Sequence, residues 1–450
     1  MQLRRRKFLH VAADTSPDLV ARRAVWAACF GFFVDMFDVY LPIAVLAPAL
    51  SYFIPAGISG TAQATIFYVV FAVTLIGRPI GSAIFGHFGD RVGRRQTTLI
   101  SVAGFGIITL VIAALPGYDP WGNAAIAILV VLRLLNGIFI GGEYTAANPL
   151  AMEYSPKEKR GLYAAFIHIG YPAALVCVSL LAAVMLKFAP SGGPGSAYAV
   201  WGWRIPFVIG ALLSGLLFFY YYHLVPESEL WRSAKKSAAP LKELFSGPDL
   251  RRVGQLFVVM TGAWLTLNAT VGAFPGVINT VLGVESAGVN TGILIGAAVS
   301  AAIYPLIGLL SQKFGRRPTI AVIGLLNLAP ACALYYILVA GAYRDPTSLV
   351  ALVVSIVVLS LPIWAVHTPY LAESFRTEIR SSGYGISYSL ATILPGLYSF
   401  YMLGLAKLMP YEFSPIVLLA LGGFLLSLGA LAGPETKDVD LHQGALARSA

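Results

Sequence analysis

Five ionisable residues interrupt long apolar runs in this 450-residue chain: Asp35, Asp38, Arg78, Arg133 and Glu143. At the centre of a bilayer such a side chain costs at least about 2.5–3.5 kcal/mol, so it faces a cavity or a partner. Asp35 and Asp38 are three apart, on one helical face near the middle of the first run. Two acids close together in a dry place cannot both stay ionised, which is one way to make a proton site near neutral pH. They are expected to face a cavity with at least one titrating, or else to form a fixed pair with an arginine of a neighbouring helix. Arg133, about ten residues into the fourth run, carries the fork of donors best suited to a carboxylate. It either binds an anionic substrate or pairs with Asp35 or Asp38. Both hold if the aspartate, Asp38 included, occupies Arg133 until substrate displaces it.

Glu143 lies about 15 Å beyond Arg133 at 1.5 Å per residue. It stands in Gly141-Gly142-Glu143, where small residues let helices approach closely, and is expected to be structural or part of a proton relay. Arg78, in Gly77-Arg78-Pro79, reads as nearer one end of its run and structural. Tyr171, Asn268, Trp364, His367 and Tyr388 are the polar and aromatic candidates for substrate contact, and His168, Tyr370 and Tyr384 also lie within runs. A lone His or Tyr in a bundle is more often a packing residue. Pro362, Trp364 and Pro369 suggest a broken helix beside the ligand.

The elements that must position these residues are membrane helices. The chain is 58% hydrophobic and 12% charged, where soluble domains carry about 25% charge. Runs long enough to span occur at 24–53, 61–88, 96–116, 123–152, 161–189, 203–225, 253–282, 288–312, 318–341, 347–373, 381–407 and 412–433. Of the 31 Lys and Arg, Arg78 and Arg133 lie inside spans, and Lys187, Arg204, Arg344 and Lys407 lie toward one face. All the others lie toward the opposite face, Arg4–Lys7 and Arg448 included, so both termini are expected in the cytoplasm of an inner-membrane protein. The same asymmetry accounts for the net charge of +10 without any nucleic acid. No cleavable leader pattern follows the N-terminal arginines. Cys29, Cys177 and Cys332 have no metal or disulfide spacing.

The one sizeable polar connection divides the chain. This gives a segment 1–23, a six-helix bundle 24–225, a central loop 226–252, a second bundle 253–433 and a tail 434–450. The halves echo each other. Gly86–Arg95 (GHFGDRVGRR) follows span 2, and Gly308–Arg317 (GLLSQKFGRR) follows span 8. Glu153 and Arg160 follow span 4 as Glu373 and Arg380 follow span 10, and Pro226-Glu-Ser closes the first half as Pro434-Glu-Thr closes the second. Three coincidences in one order indicate an internal duplication. Paired halves with a site between them are the architecture of alternating-access carriers.

Gly86–Arg95 resembles the loop signature of the major facilitator superfamily, with Gln312 in the second copy where Asp90 stands in the first. Within the superfamily, Arg133–Glu143, Glu153-Tyr-Ser-Pro with Arg160, Trp201-Gly-Trp-Arg-Ile-Pro-Phe207 and Ala372-Glu-Ser-Phe with Arg380 resemble the metabolite:proton symporters of organic acids, shikimate-like compounds, proline and betaine. Asp35-Met-Phe-Asp38 keeps the spacing of their first-span acids but changes the first acid. The resemblance implies an all-α fold of twelve transmembrane helices in two pseudo-symmetric bundles. It also implies a gate of Asp90, Arg94, Arg95, Glu153, Arg160, Glu373 and Arg380, whose charges latch helix ends in one state and part in the other.

No Walker loop, metal-ligand spacing or nucleophile elbow is present, so neither an ATP-driven pump nor an enzyme is expected, and no cofactor. The expected function is proton-coupled symport of a small organic anion, with Asp35, Asp38 and Glu143 carrying protons and Arg133 binding a carboxylate. The expected partners are that solute, protons and lipid, and the working unit a monomer. The alternative is a carrier of a neutral or zwitterionic solute. The scarcity of Gln in the spans weighs against a sugar. A sensor or channel fits less well than either.

Overall fold

A computed structural model describes residues 16–441, apart from 56, 282, 284, 285 and 344. Expectations resting on Arg4–Lys7, Arg344 and Arg448, and the expected end of span 7 at residue 282, lie outside those residues. Twelve helices are long and apolar enough to span a membrane. They are α1 (Pro17–Tyr52), α2 (Val69–Arg91), α3 (Arg94–Ala113), α4 (Asn123–Tyr154), α5 (Lys157–Phe188), α6 (Tyr198–Leu224), α7 (Gly247–Ile278), α8 (Gly288–Phe314), α9 (Arg316–Val339), α10 (Pro346–Glu373), α11 (Thr377–Leu405) and α12 (Tyr411–Ala432). Each takes the place of one expected span. α7 starts before the expected residue 253 because Gly247-Pro248 opens a helix whose first turn tolerates proline. The connection before it carries two short helices, Glu229–Ser233 and Pro240–Leu244.

These helices are apolar nearly all round because one side meets lipid and the other the bundle. On α6, Leu212, Leu216 and Phe219 stay exposed while Phe207, Ser214 and Tyr221 are buried. In the expected place, α10 is broken. Its helix stops at Ser360, a 3-10 turn runs through Pro362–Ala365, and helix resumes over His367–Glu373. Pro362 supplies no N–H to the preceding turn, which accounts for the interruption.

In the first half, α2 and α4 pack backbone to backbone through paired Gly-x-x-x-Gly stretches. A Cβ at Gly81 would stand 1.9 Å from the carbonyl oxygen of Ile138, and one at Gly137 would stand 2.2 Å from that of Thr74. No other residue fits there. This contact seats Arg78 and Ser82, one turn apart, beside the centre of the bundle.

The duplication is visible in the backbone. Gly93 and Gly315 take φ of 129° and 112°, where only glycine sits without strain. Each precedes a helix whose first N–H groups are capped by a glutamate. Glu227 accepts from the N–H of Arg94 at 3.0 Å and Arg95 at 3.1 Å, and Glu435 accepts from Arg316 at 2.8 Å and Arg317 at 3.1 Å. An acid at a helix N-terminus satisfies orphan donors and complements the dipole. The acids of Pro226-Glu-Ser and Pro434-Glu-Thr are thus caps for α3 and α9.

Both described termini lie at one end. Lys159 meets Asp18 at 3.7 Å, Lys157 meets Asp438 at 3.8 Å, and Arg160 donates to the Val439 carbonyl at 3.0 Å. The two loop signatures share this basic end, and here the halves close on one another. A Cβ at Gly161 of α5 would lie 2.5 Å from the Gly308 carbonyl of α8, and one at Gly86 of α2 would lie 2.8 Å from Ser382 Cα of α11. Replacing Gly161 or Gly308 by Leu is therefore expected to hold the basic end open. With Cys29, Cys177 and Cys332 changed to serine, a Thr368→Cys reporter should react several-fold faster with an impermeant thiol reagent in the Gly161→Leu background. Unchanged labelling would show that this contact does not limit closure.

Candidate functional site

Two buried charge clusters clamp the basic end. Glu153, at the end of α4, receives Arg94 of its own half at 2.9 Å and Arg380 of the other half. Glu373, at the end of α10, receives Arg316 of its own half at 3.3 Å and Arg160 of the other at 3.1 Å. Asp90 accepts from the backbone N–H of Ser381 and Ser382 at the start of α11, both at 2.9 Å, and Arg94 donates to the Thr377 carbonyl at 2.8 Å. Ser228 and Thr436, next to the two helix caps, donate to Glu153 and Glu373. Six of the seven expected gate residues therefore join the halves. Arg95 does not: it donates to the Tyr222 carbonyl at 2.6 Å within its own half. Arg316 does the work that Arg94 does in the first copy, and following the repeat by position would have found it.

Toward mid-membrane the charges separate into two groups. Asp38 accepts from Arg133 Nη1 at 3.3 Å and from Thr109 at 2.6 Å, and Asn136 donates to Thr109 at 3.1 Å. This ties α1, α3 and α4 together inside the first bundle. Of the roles expected for Arg133, the structure contains the pair with Asp38. Asp35, one turn earlier, faces Glu143 of α4 instead, close enough for each carboxyl to act on the other. A Cβ at Gly31 would lie 2.2 Å from Glu143 Oε1, so α1 and α4 meet at this point. Neither Asp35 oxygen has a donor, nor has Glu143 Oε1. A carboxyl pair buried without donors or a cation at contact distance does not stay doubly charged.

Arg78 stands beside this pair. Its guanidinium lies 5.9 Å from the Tyr144 ring centre and feels the charge of Asp35, while Nε and Nη2 have no partner. Among the described residues it forms no ion pair within 4 Å, although only 1% of it is exposed. It lies twelve residues, about 18 Å, from Asp90 at the basic end. Its helix direction points the side chain away from that end, over the seam between the halves. One turn on, Ser82 meets Ser389 of α11 at 2.5 Å, and Tyr144 also bonds Ser389.

Across the seam the second half presents rings. Tyr388 touches Tyr144 at 4.8 Å, Trp264 at 5.5 Å, Trp364 at 6.4 Å and His367 at 5.4 Å. Trp264 meets Trp364 at 4.7 Å and donates to the Tyr388 carbonyl at 3.3 Å. Trp364 Nε1 is buried with no acceptor. On the basic side of this wall, His168 and His367 meet edge to face at 4.4 Å, and Thr368 bridges them to Tyr384, which also receives Asn148 at 2.8 Å. The break in α10 turns Trp364 and His367 together toward Tyr388.

Of the expected substrate-contact residues, the structure brings Trp364, His367 and Tyr388 together. Tyr171 accepts from Tyr40 at 3.2 Å, and Asn268, half-buried, donates to the Pro395 carbonyl at 3.0 Å. Tyr370 lies apart, bonded by Gln255 at 3.0 Å. Sequence reading missed Trp264, Tyr144 and Ser389. Their only signal was their position in spans.

Two six-helix halves, clamped at one end and meeting at mid-membrane over a buried cation and a ring-lined seam, define a twelve-span secondary transporter. The chain belongs to the Major Facilitator Superfamily, whose profile matches residues 28–399. It is 31% identical over 436 residues to the alpha-ketoglutarate permease of Escherichia coli strain K12, covering 93% of this chain and 96% of that one. It is also 31% identical over 382 residues to an inner membrane metabolite transport protein of that strain, covering 82% and 84%. The proton:xylose symporter XylE, solved with 6-bromo-6-deoxy-D-glucose, superposes with a TM-score of 0.76 at 20% identity over 95% of this chain and 98% of that one, a likeness of fold.

Removing one partner of a buried ion pair strands the other charge, at a cost of about 3–5 kcal/mol. Arg133→Gln alone and Asp38→Asn alone should each lower the thermal transition of the purified protein strongly, and the double variant by much less than the two together. Additive losses would mean that the pair is not the closed unit its geometry describes.

Proposed function

We propose that this protein is a proton-coupled symporter that carries a small organic anion, recognised by its carboxylate, into the cell by alternating access. The basic end then faces the cytoplasm of a cell inner membrane, in accord with the Lys and Arg asymmetry. The single observation that carries the reading is Arg78: a buried guanidinium at the seam with no acid at contact distance among the described residues, beside Asp35 and the Oε1 of Glu143, which lack donors there. The name of the permease relative supports an organic-acid substrate.

Charge balance couples the two fluxes. With one proton shared by Asp35 and Glu143, the pair holds one negative charge, which offsets Arg78 across a short distance. A second proton leaves Arg78 unbalanced, and the substrate carboxylate then restores neutrality by forking onto its free Nε and Nη2. The groups facing the pair are Asp38 from α1 itself, held by Arg133, Arg78 from α2, Tyr144 from α4, Tyr221 from α6, and Tyr384 and Tyr388 from α11. The tyrosines stay neutral in a site of this depth, so the carboxyls carry the titration. Loaded neutral, the halves can rock, and the clusters around Glu153 and Glu373 part as the basic end opens. Asp38 and Arg133 stay together as the fixed pair of the first bundle.

In proteoliposomes, an inward proton gradient should drive accumulation of a labelled carboxylate, and a protonophore should abolish it. The Asp35→Asn/Glu143→Gln double variant should keep exchange of labelled for unlabelled substrate yet lose gradient-driven accumulation, because no carboxyl is left beside Arg78 to take up the proton. If that double variant accumulates substrate like the native protein, the proposed proton site is wrong.

A further inference from the structure

The charges and rings around the seam also bear on which anions fit. Within the bilayer the described residues supply two cations, Arg78 and Arg133, and Arg133 is already neutralised by Asp38 at 3.3 Å. The arginines at the basic end are held by Glu153 and Glu373. When Asp35 and Glu143 are both protonated, the site therefore has one positive charge to offer, on Arg78. The surface opposite Arg78 carries no charge. It is made by Tyr388, Trp264 and Trp364, with His367 behind, and Tyr388 bridges it to Tyr144 under the guanidinium at 4.8 Å. Ring faces are the negative side of the aromatic quadrupole. They accept C–H groups and ring edges but repel an anion. Two buried polar atoms are left unanswered among the described residues of this wall, the indole N–H of Trp364 and, behind it, Nδ1 of His367. Buried donors of this kind find an acceptor, here one carried by the substrate.

We propose that the site selects a carboxylate of single charge whose remaining body is small and uncharged, apolar or bearing a hydroxyl or carbonyl oxygen. The carboxylate binds Arg78, the body lies against the Trp264–Trp364–Tyr388 wall, and dicarboxylates are rejected because the second carboxylate would be buried against rings with no counter-charge. This rests on the symport reading above and narrows it.

Matched pairs separate the two. Full-length protein in nanodiscs at neutral pH is titrated with benzoate and terephthalate, 2-oxopentanoate and 2-oxoglutarate, and glycine betaine, reading the shift in thermal transition. The singly charged member of each pair should bind at least about tenfold more tightly, a ratio worth ~1.4 kcal/mol. Trp364→Arg, which places a cation on the wall, should narrow or invert that ratio, while Arg78→Gln should remove binding of both members. Dicarboxylates binding as well as or better than their partners, in an Arg78-dependent manner, would overturn the selectivity and leave the symport reading standing. Glycine betaine binding where benzoate and 2-oxopentanoate do not would overturn it as well. If no carboxylate shifts the transition and none is accumulated on a proton gradient, the symport reading itself fails. Should Trp364→Arg not fold, the ratios in the native protein decide.

Discussion

A charge inside a bilayer must be neutralised where it stands, and the organisation of this protein follows from how that is done three ways. Asp38 and Arg133 neutralise each other within the first bundle and brace it. At the basic end, each of two glutamates is shared by an arginine of its own half and one of the other, so neutralisation requires the halves to be closed. Among the described residues Arg78 has no ion-pair partner, and the acids beside it, Asp35 and Glu143, face each other. The first arrangement braces one bundle, the second is a contact made only when the halves are closed, and the third is where the proposed anion binding and protonation meet.

The duplication makes the second arrangement possible. Each half carries the same parts: a glycine with positive φ, a capped helix start, an arginine on the glutamate ending the following even-numbered span, and an arginine given across the seam. The clamp is therefore nearly symmetric. It departs from symmetry at Asp90, whose counterpart is Gln312. Asp90 binds the N–H groups that open α11, whereas Gln312 accepts from the Gly161 N–H at 3.1 Å, beside the glycine contact of α5 and α8.

The fold was legible because membrane solvent imposes a coarse rule. Long apolar runs must be helices, and their number, the repeat and the polar midpoint follow from composition and spacing. The break in α10 was legible for a similar reason, since prolines act locally. The site was less so. Asp35 and Asp38 look equivalent in the sequence at three residues apart, yet a rotation of about 60° between them sends one to Glu143 and the other to Arg133. Arg78 reads as a structural residue beside Pro79, because nothing local says that two Gly-x-x-x-Gly stretches press α2 against α4 and aim it at the seam. Trp264 and Ser389 gain meaning only through partners a hundred or more residues away. Contacts of that kind belong to helix packing, which single-sequence periodicity does not encode.

The central claim is that Asp35 and Glu143 share a proton in the substrate-free protein, so that the buried cation beside them is balanced until a second proton releases it. Infrared difference spectroscopy on the purified protein at neutral pH reads this most directly, through the carbonyl stretch of a protonated, buried carboxylic acid. The account predicts that the band is present without substrate, grows when a carboxylate binds, and is lost from the Asp35→Asn/Glu143→Gln double variant. A native protein without that band at neutral pH, or one whose band survives the double variant unchanged, would contradict it.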